Sequence, residues 1–148
     1  MRHALCTAID IEAEPEIVWR HLADLGAYAD WNPFITSATG SPEQGCRLEL
    51  RMAPPGARAV TFRPHVTTVS PGSALEWLGH LGVPGLFDGR HRFDLIPTDD
   101  GTHLVQSETF TGLLVRPLRR SLDTHTRAGF EAMNQALRRR VVGTRTAG

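Results

Sequence analysis

Hydrophobic and polar positions change period along this chain, and the changes mark out its elements. Residues 3–11 alternate loosely, which predicts a first strand. Glu14 and Pro15 then open a helix. Proline fits the first turn because its missing N–H would have no partner there, and Glu14 and Glu16 complement the positive end of the dipole. Gly26 is expected to end this helix, a second short helical segment follows over residues 27–30, and Asn32-Pro33 turns the chain into a sheet.

The middle of the chain reads as an antiparallel meander. Leu48, Leu50 and Met52 alternate with Arg47, Glu49 and Arg51, the pattern of a strand with one wet side. A strand over 60–69 carries Val60, Phe62 and Val66 at one parity. Counting back from the turn Ser70-Pro71-Gly72-Ser73 sets Val66 opposite Trp77 and Thr68 opposite Leu75. Beyond Pro84-Gly85, Phe87, His91, Phe93 and Leu95 share one side, against Asp88, Arg90, Arg92 and Asp94. Thr98-Asp99-Asp100-Gly101 closes a hairpin, and residues 102–110 return with Leu104, Gln106, Glu108 and Phe110 together. Pairing Pro97 with Thr102 sets Leu95 against Leu104, Phe93 against Gln106 and His91 against Glu108. A two-residue slip would place Glu108 opposite Phe93 and leave it on the same face. From Pro117 to about Val141, Leu118, Leu122, Gly129, Met133, Ala136 and Leu137 form a helical stripe. The sheet's inner face is the apolar surface left to cover it.

Several stretches carry a resemblance. They are Pro-Glu-Ile-Val-Trp at the first helix, Tyr-Ala-Asp-Trp-Asn-Pro-Phe after it, Leu-Glu-Trp, Gly-Leu-Phe-Asp-Gly-Arg-His-Arg-Phe, and Glu-Thr-Phe-Thr-Gly-Leu-Leu before the last helix. Over residues 9–140 the chain resembles the SRPBCC superfamily of START-like, helix-grip proteins, in its polyketide cyclase/dehydrase-like group. The resemblance implies an α+β fold: a curved antiparallel sheet of six or seven strands wrapped around a long C-terminal helix, with two short helices after strand 1. It is read as a single domain over residues 1–143 with a tail at 144–148. The superfamily includes lipid carriers, hormone receptors, aromatase/cyclases and cochaperones, so the resemblance speaks to shape before chemistry.

Composition narrows the chemistry. Sixteen arginines and no lysine balance sixteen carboxylates. The chain therefore offers no overall field for nucleic acid, and no side chain for Schiff-base catalysis. Cys6 and Cys46 lack a CxxC spacing and read as reduced core or near-core residues. No two histidines stand at i and i+4, Ser107 has no GxSxG elbow, and no metal or cofactor is expected. No long apolar run suggests membrane insertion, and the expected location is the cytoplasm. Nothing in the pattern sets the oligomeric state.

A helix laid across a curved sheet leaves a hollow unless large side chains fill it. Gly129 on the helix stripe fits either such a hollow or close packing on a bulky residue such as Trp77. Candidates for lining it are Trp31, Met52, Phe62, Trp77, Phe87, Phe93, Gln106, Phe110, Gly129 and Met133, with residues 79–85 as a flexible lip. Trp31 fits a structural corner better than a pocket wall. His91 beside Glu108 is the one candidate acid/base pair, and it also fits two buried groups satisfying each other. The expected function is binding of a hydrophobic small molecule such as a lipid, polyketide or aromatic metabolite. A cyclase or aromatase using His91 and Glu108 is the alternative, and a cochaperone-like interaction module a weaker one.

Overall fold

A computed structural model of the protein describes residues 1–147, and side chains as far as residue 143. The chain runs β1 (Arg2–Ile11), α1 (Pro15–Ala23), a 3-10 turn (Leu25–Ala27) and α2 (Tyr28–Trp31). Then come β2 (Ile35–Thr39), β3 (Glu49–Met52), β4 (Val60–Phe62), β5 (His65–Ser70), β6 (Ala74–His80), β7 (Asp88–Thr98) and β8 (Gly101–Thr111). A last helical run comprises α3 (Val115–Ser121), a π-helical turn (Leu122–Thr126) and α4 (Arg127–Ala147). The helix thus runs into the expected 144–148 tail as far as Ala147, and Gly148 lies outside the described residues.

Pro15 starts α1 as its sequence implies, but the helix stops at Ala23 rather than at Gly26. The Tyr28 hydroxyl donates to the Leu22 carbonyl at 2.5 Å, satisfying an acceptor of the last turn, and Gly26 sits within the following 3-10 turn. At the next corner Asn32 Oδ1 accepts from the backbone N–H of both Phe34 and Ile35 at 2.9 Å. That pair of hydrogen bonds from the main chain is why Asn-Pro can turn the chain there.

The strands lie in the order β1-β8-β7-β6-β5, with a second sheet β2-β3-β4. Eight strands replace the expected six or seven partly because the 60–69 run is broken at Pro64, which has no N–H for a ladder. The two sheets are stitched where Leu48 N donates to Pro64 O and Val66 N to Cys46 O, both at 2.8 Å. Val66 faces Trp77 as expected, but a bulge before Thr68 sets Thr68 opposite Glu76 and Val69 opposite Leu75. The β7–β8 hairpin has the expected register throughout, from Pro97 against Thr102 to His91 against Glu108.

Inward residues of the larger sheet meet α4 over a closed half of the core. Phe93, Leu104, Phe130 and Leu137 are fully buried there, each worth about 1.5–3 kcal/mol by apolar burial. Gly129 belongs to this half. A Cβ on it would collide with the Phe34 ring, which packs edge-on to Phe130 at 5.5 Å. Gly129 is therefore a packing residue, its neighbour is Phe34 rather than Trp77, and no hollow opens at it. Cys6 is exposed, not core, because Leu5 and Thr7 take the inward parity of β1; Cys46 is half-buried. No described helix is long and apolar enough to cross a membrane.

Candidate functional site

The other half of the interior is hollow. Where the helix passes through its π-helical turn, a cavity of about 280 Å³ remains between it and the sheets. Met52 and Phe62 of β3 and β4, Trp77 of β6 and Phe110 of β8 form its walls, and Leu118 and Leu122 roof it. The segment 53–59 contributes Pro54, Ala57 and the exposed Arg58 at the mouth. That segment is latched to the π turn by His125, whose Nδ1 donates to Pro55 O at 2.9 Å. π turns recur at functional sites because the extra residue re-aims side chains, and here the turn delivers Leu122 and Thr126 to the cavity.

Glu108 is the one carboxylate among the lining residues. It stands on β8 directly opposite His91 of β7, and its side chain leans over Gly89, two residues along that strand. Its Oε1 lies 3.0 Å from His91 Nδ1. Its Oε2 lies over Gly89, so close that a Cβ there would collide with it, and carries no hydrogen bond among the described residues. The glycine makes room for the carboxylate at the cavity wall.

Behind Glu108 runs a buried polar chain whose polarity can be deduced. Gln106 Nε2 donates to Phe130 O at 3.2 Å and to Asn134 Oδ1 at 2.7 Å, so Gln106 presents Oε1, an acceptor, to His91 Nε2 at 3.0 Å. Asn134 Nδ2 then donates to Thr7 Oγ1 at 2.9 Å, and the Thr7 hydroxyl donates to Gln106 O. Backbone carbonyls can only accept, so they set every direction in the chain. His91 must therefore carry its hydrogen on Nε2. Its Nδ1 and Glu108 then share one hydrogen: either an imidazolium faces a carboxylate, or a neutral imidazole accepts from a carboxylic acid.

His91 is 0% exposed. It stacks on Trp77 at 5.2 Å and is enclosed by Phe93 at 4.8 Å and Phe130 at 4.9 Å. It reaches the cavity only through Glu108. Among the residues expected to bind ligand, Met52, Phe62, Trp77, Phe87 and Phe110 do line the hollow. Gln106 sits behind the wall in the polar chain. Four others do not line it: Phe93 is sealed between Trp77 and His91, Met133 and Gly129 pack in the closed half, and Trp31 rests edge-on against Tyr28 at 5.2 Å. Sequence reasoning missed Phe34, Gly89 and Asn134. Gly89 was detectable as a small residue at the inward parity of β7; Phe34 and Asn134 gave no local signal. Of the expected lip, Gly79 and Leu81 touch the cavity. No group of three or more His, Cys, Asp or Glu residues able to hold a metal ion occurs among the described residues.

A family model described as polyketide cyclase / dehydrase and lipid transport matches residues 2–142. The chain belongs to this family. Among solved structures, the ZhuI aromatase/cyclase from Streptomyces sp. R1128 is similar at 18% identity and a TM-score of 0.79, over 96% of this chain and 94% of that one. A norcoclaurine synthase point mutant from Thalictrum flavum has 13% identity and a TM-score of 0.75, over 98% and 97%. Protein MLL2253 from Mesorhizobium loti has 21% identity and a TM-score of 0.73, over 96% and 98%. At these identities the likeness is one of fold. No curated protein sequence matches the chain.

Proposed function

We propose that this member of the polyketide cyclase/dehydrase family binds a compact, mostly apolar molecule with one polar group, held in the cavity with that group against Glu108 Oε2. The observation behind the reading is a mostly apolar hollow of about 280 Å³ containing a single carboxylate oxygen without a partner among the described residues. A dry cavity of about 150 Å³ suffices for benzene. Twice that volume suits a bicyclic aromatic better than a phospholipid or a fully folded long polyketide.

A second reading, acid–base catalysis on the bound molecule, is favoured by the hydrogen shared between His91 and Glu108. Glu108 would exchange a proton with the substrate through Oε2 while His91 compensates at Oε1, the arrangement a dehydration or ring closure needs.

One experiment separates the two. Binding of 2-naphthol is measured by calorimetry, and base activity with 5-nitrobenzisoxazole. In that probe a carboxylate takes the carbon-bound proton, the N–O bond breaks and a cyanophenolate leaves. Val60→Trp, which fills the hollow, should weaken naphthol binding at least tenfold; unchanged affinity would sink the cavity reading. His91→Ala should leave naphthol affinity within a few fold under either reading. Under catalysis it should slow the elimination about a hundredfold, and a rate equal to the wild type's would leave simple binding.

A further inference from the structure

Large apolar side chains exposed on this protein are few, and three of them cluster beside the cavity mouth. Leu113 is 81% exposed, Val83 66% and Leu118 37%. The two loops that carry the first two are bound to each other: Leu113 N donates to Gly85 O at 3.1 Å and Leu114 N to Leu86 O at 2.9 Å. The tips are therefore held on hydrogen-bonded backbone. Their neighbours Leu81 and Leu118 line the cavity, so the tips flank its opening.

The charge around them is one-sided. Residues 81–87 and 112–122 contain Arg116, Arg119 and Arg120 and no carboxylate. All three arginines are exposed, and none forms an ion pair among the described residues. Asp123 lines the same surface groove as the three arginines and is hydrogen-bonded to His3 at 2.6 Å, and Asp88 is held by His80 at 2.6 Å and by the Gly85 N–H, which leaves arginine in excess beside the tips. A net charge of zero for the chain conceals this local excess.

We infer that this face docks on an anionic lipid surface, with Leu113 and Val83 entering the headgroup layer and Arg116, Arg119 and Arg120 meeting lipid phosphates. Projecting aliphatic tips beside a row of guanidinium groups on α3 suit a soft apolar layer with a negative surface, whereas a protein partner is better matched by a flat or concave patch. Docked this way, the mouth faces the bilayer, and an apolar ligand passes into the cavity without crossing water. The inference goes beyond the cavity reading, and the binding to lipid that tests it needs no ligand in the cavity.

The experiment is co-sedimentation with vesicles of equal phosphatidylcholine and phosphatidylglycerol, against phosphatidylcholine alone, at low and physiological salt. The wild type should bind the anionic vesicles, and more weakly as salt rises. Each arginine near such a surface strengthens binding about fivefold, so R116Q/R119Q/R120Q should lower it roughly a hundredfold. Leu113→Ser should lower it about tenfold, less sensitively to salt. All four substituted residues lie outside the cavity, so naphthol affinity in the same variants should stay at the wild-type value; this separates failure of the docking face from failure of the cavity. Equal binding to both vesicles, or a triple variant that binds like the wild type, overturns the inference. Binding to polyglutamate but to neither vesicle also overturns it, in favour of an acidic protein partner.

Discussion

Two carboxylates stand on opposite faces of the same sheet and are equally hidden, Glu76 and Glu108 each 8% exposed. On the outer face Glu76 is saturated. Its Oε1 accepts from Thr67 and from Arg90, both at 2.8 Å, and its Oε2 from Arg92 at 3.3 Å, which ties β5, β6 and β7 together. On the inner face Glu108 has one partner among the described residues, His91, on one oxygen, and its other oxygen looks into a hollow. Burial alone therefore says little about role. A carboxylate that holds a fold together has both oxygens occupied by donors, whereas one kept for a ligand leaves an acceptor open and is held from behind.

The largest expected difference is in stability. Burial pushes the Glu76 carboxyl upward, but hydrogen bonds from Thr67, Arg90 and Arg92 together outweigh it and hold it below the usual carboxylate range. A carboxyl lowered in the folded state stabilises fully above its unfolded value and loses that contribution as pH falls through the folded one. Glu76→Gln should cost about 1–2 kcal/mol at pH 7, discounted because both arginines remain partly open to water. In urea titrations the gap between variant and wild type should close as pH drops below the acidic range of free glutamate. A gap that persists at acid pH would mean that side-chain shape, not charge, does the tying.

Gly89→Ala should act the other way, with little effect on stability and much on the site. The new methyl meets Glu108 Oε2, the far end of a flexible side chain, so the strand keeps its register and Oε1 keeps its bond to His91 while Oε2 is pushed out of its place over residue 89. The stability change should stay within about 0.5 kcal/mol, as alanine costs less conformational entropy than glycine in a strand. Elimination of 5-nitrobenzisoxazole should drop at least tenfold. Full activity in this variant would show that the position of Oε2 over Gly89 does not matter.

Local chemistry explains what was legible beforehand. The register that puts His91 against Glu108 follows from a four-residue turn and period-two parity, both readable within twenty residues. The break at Pro64 could also have been read, since a proline inside a strand is a warning. Other features depend on contacts between residues far apart in the chain. Phe34 packs over Gly129 across some 95 positions, Asn134 reaches Thr7 across 127, and the π turn leaves no mark in the helical stripe. Those contacts decide which half of the interior is filled. Inward parity alone therefore could not tell that Phe93 and Met133 are core while Phe87 and Phe110 line a cavity. Net charge likewise averaged away the arginines beside the mouth.

The smallest expected effect sharpens the comparison most. If His91 keeps its hydrogen on Nε2 because Gln106 presents an acceptor there, Nδ1 needs a donor from position 108 whenever the ring is neutral. Glutamine supplies one from its amide with nearly the length and shape of a protonated glutamate. Glu108→Gln should therefore leave folding stability within about 0.5 kcal/mol of the wild type at pH 7, in contrast to the same exchange at Glu76. It should also keep the Nε2–H tautomer, visible as the ¹⁵N pattern of a neutral His91 imidazole protonated at Nε2, and abolish base activity because an amide cannot take a proton. A cost as large as that at Glu76 would mean that the Glu108 charge is itself structural. The open oxygen would then be a by-product of packing around Gly89 rather than the reason the polar chain behind it exists.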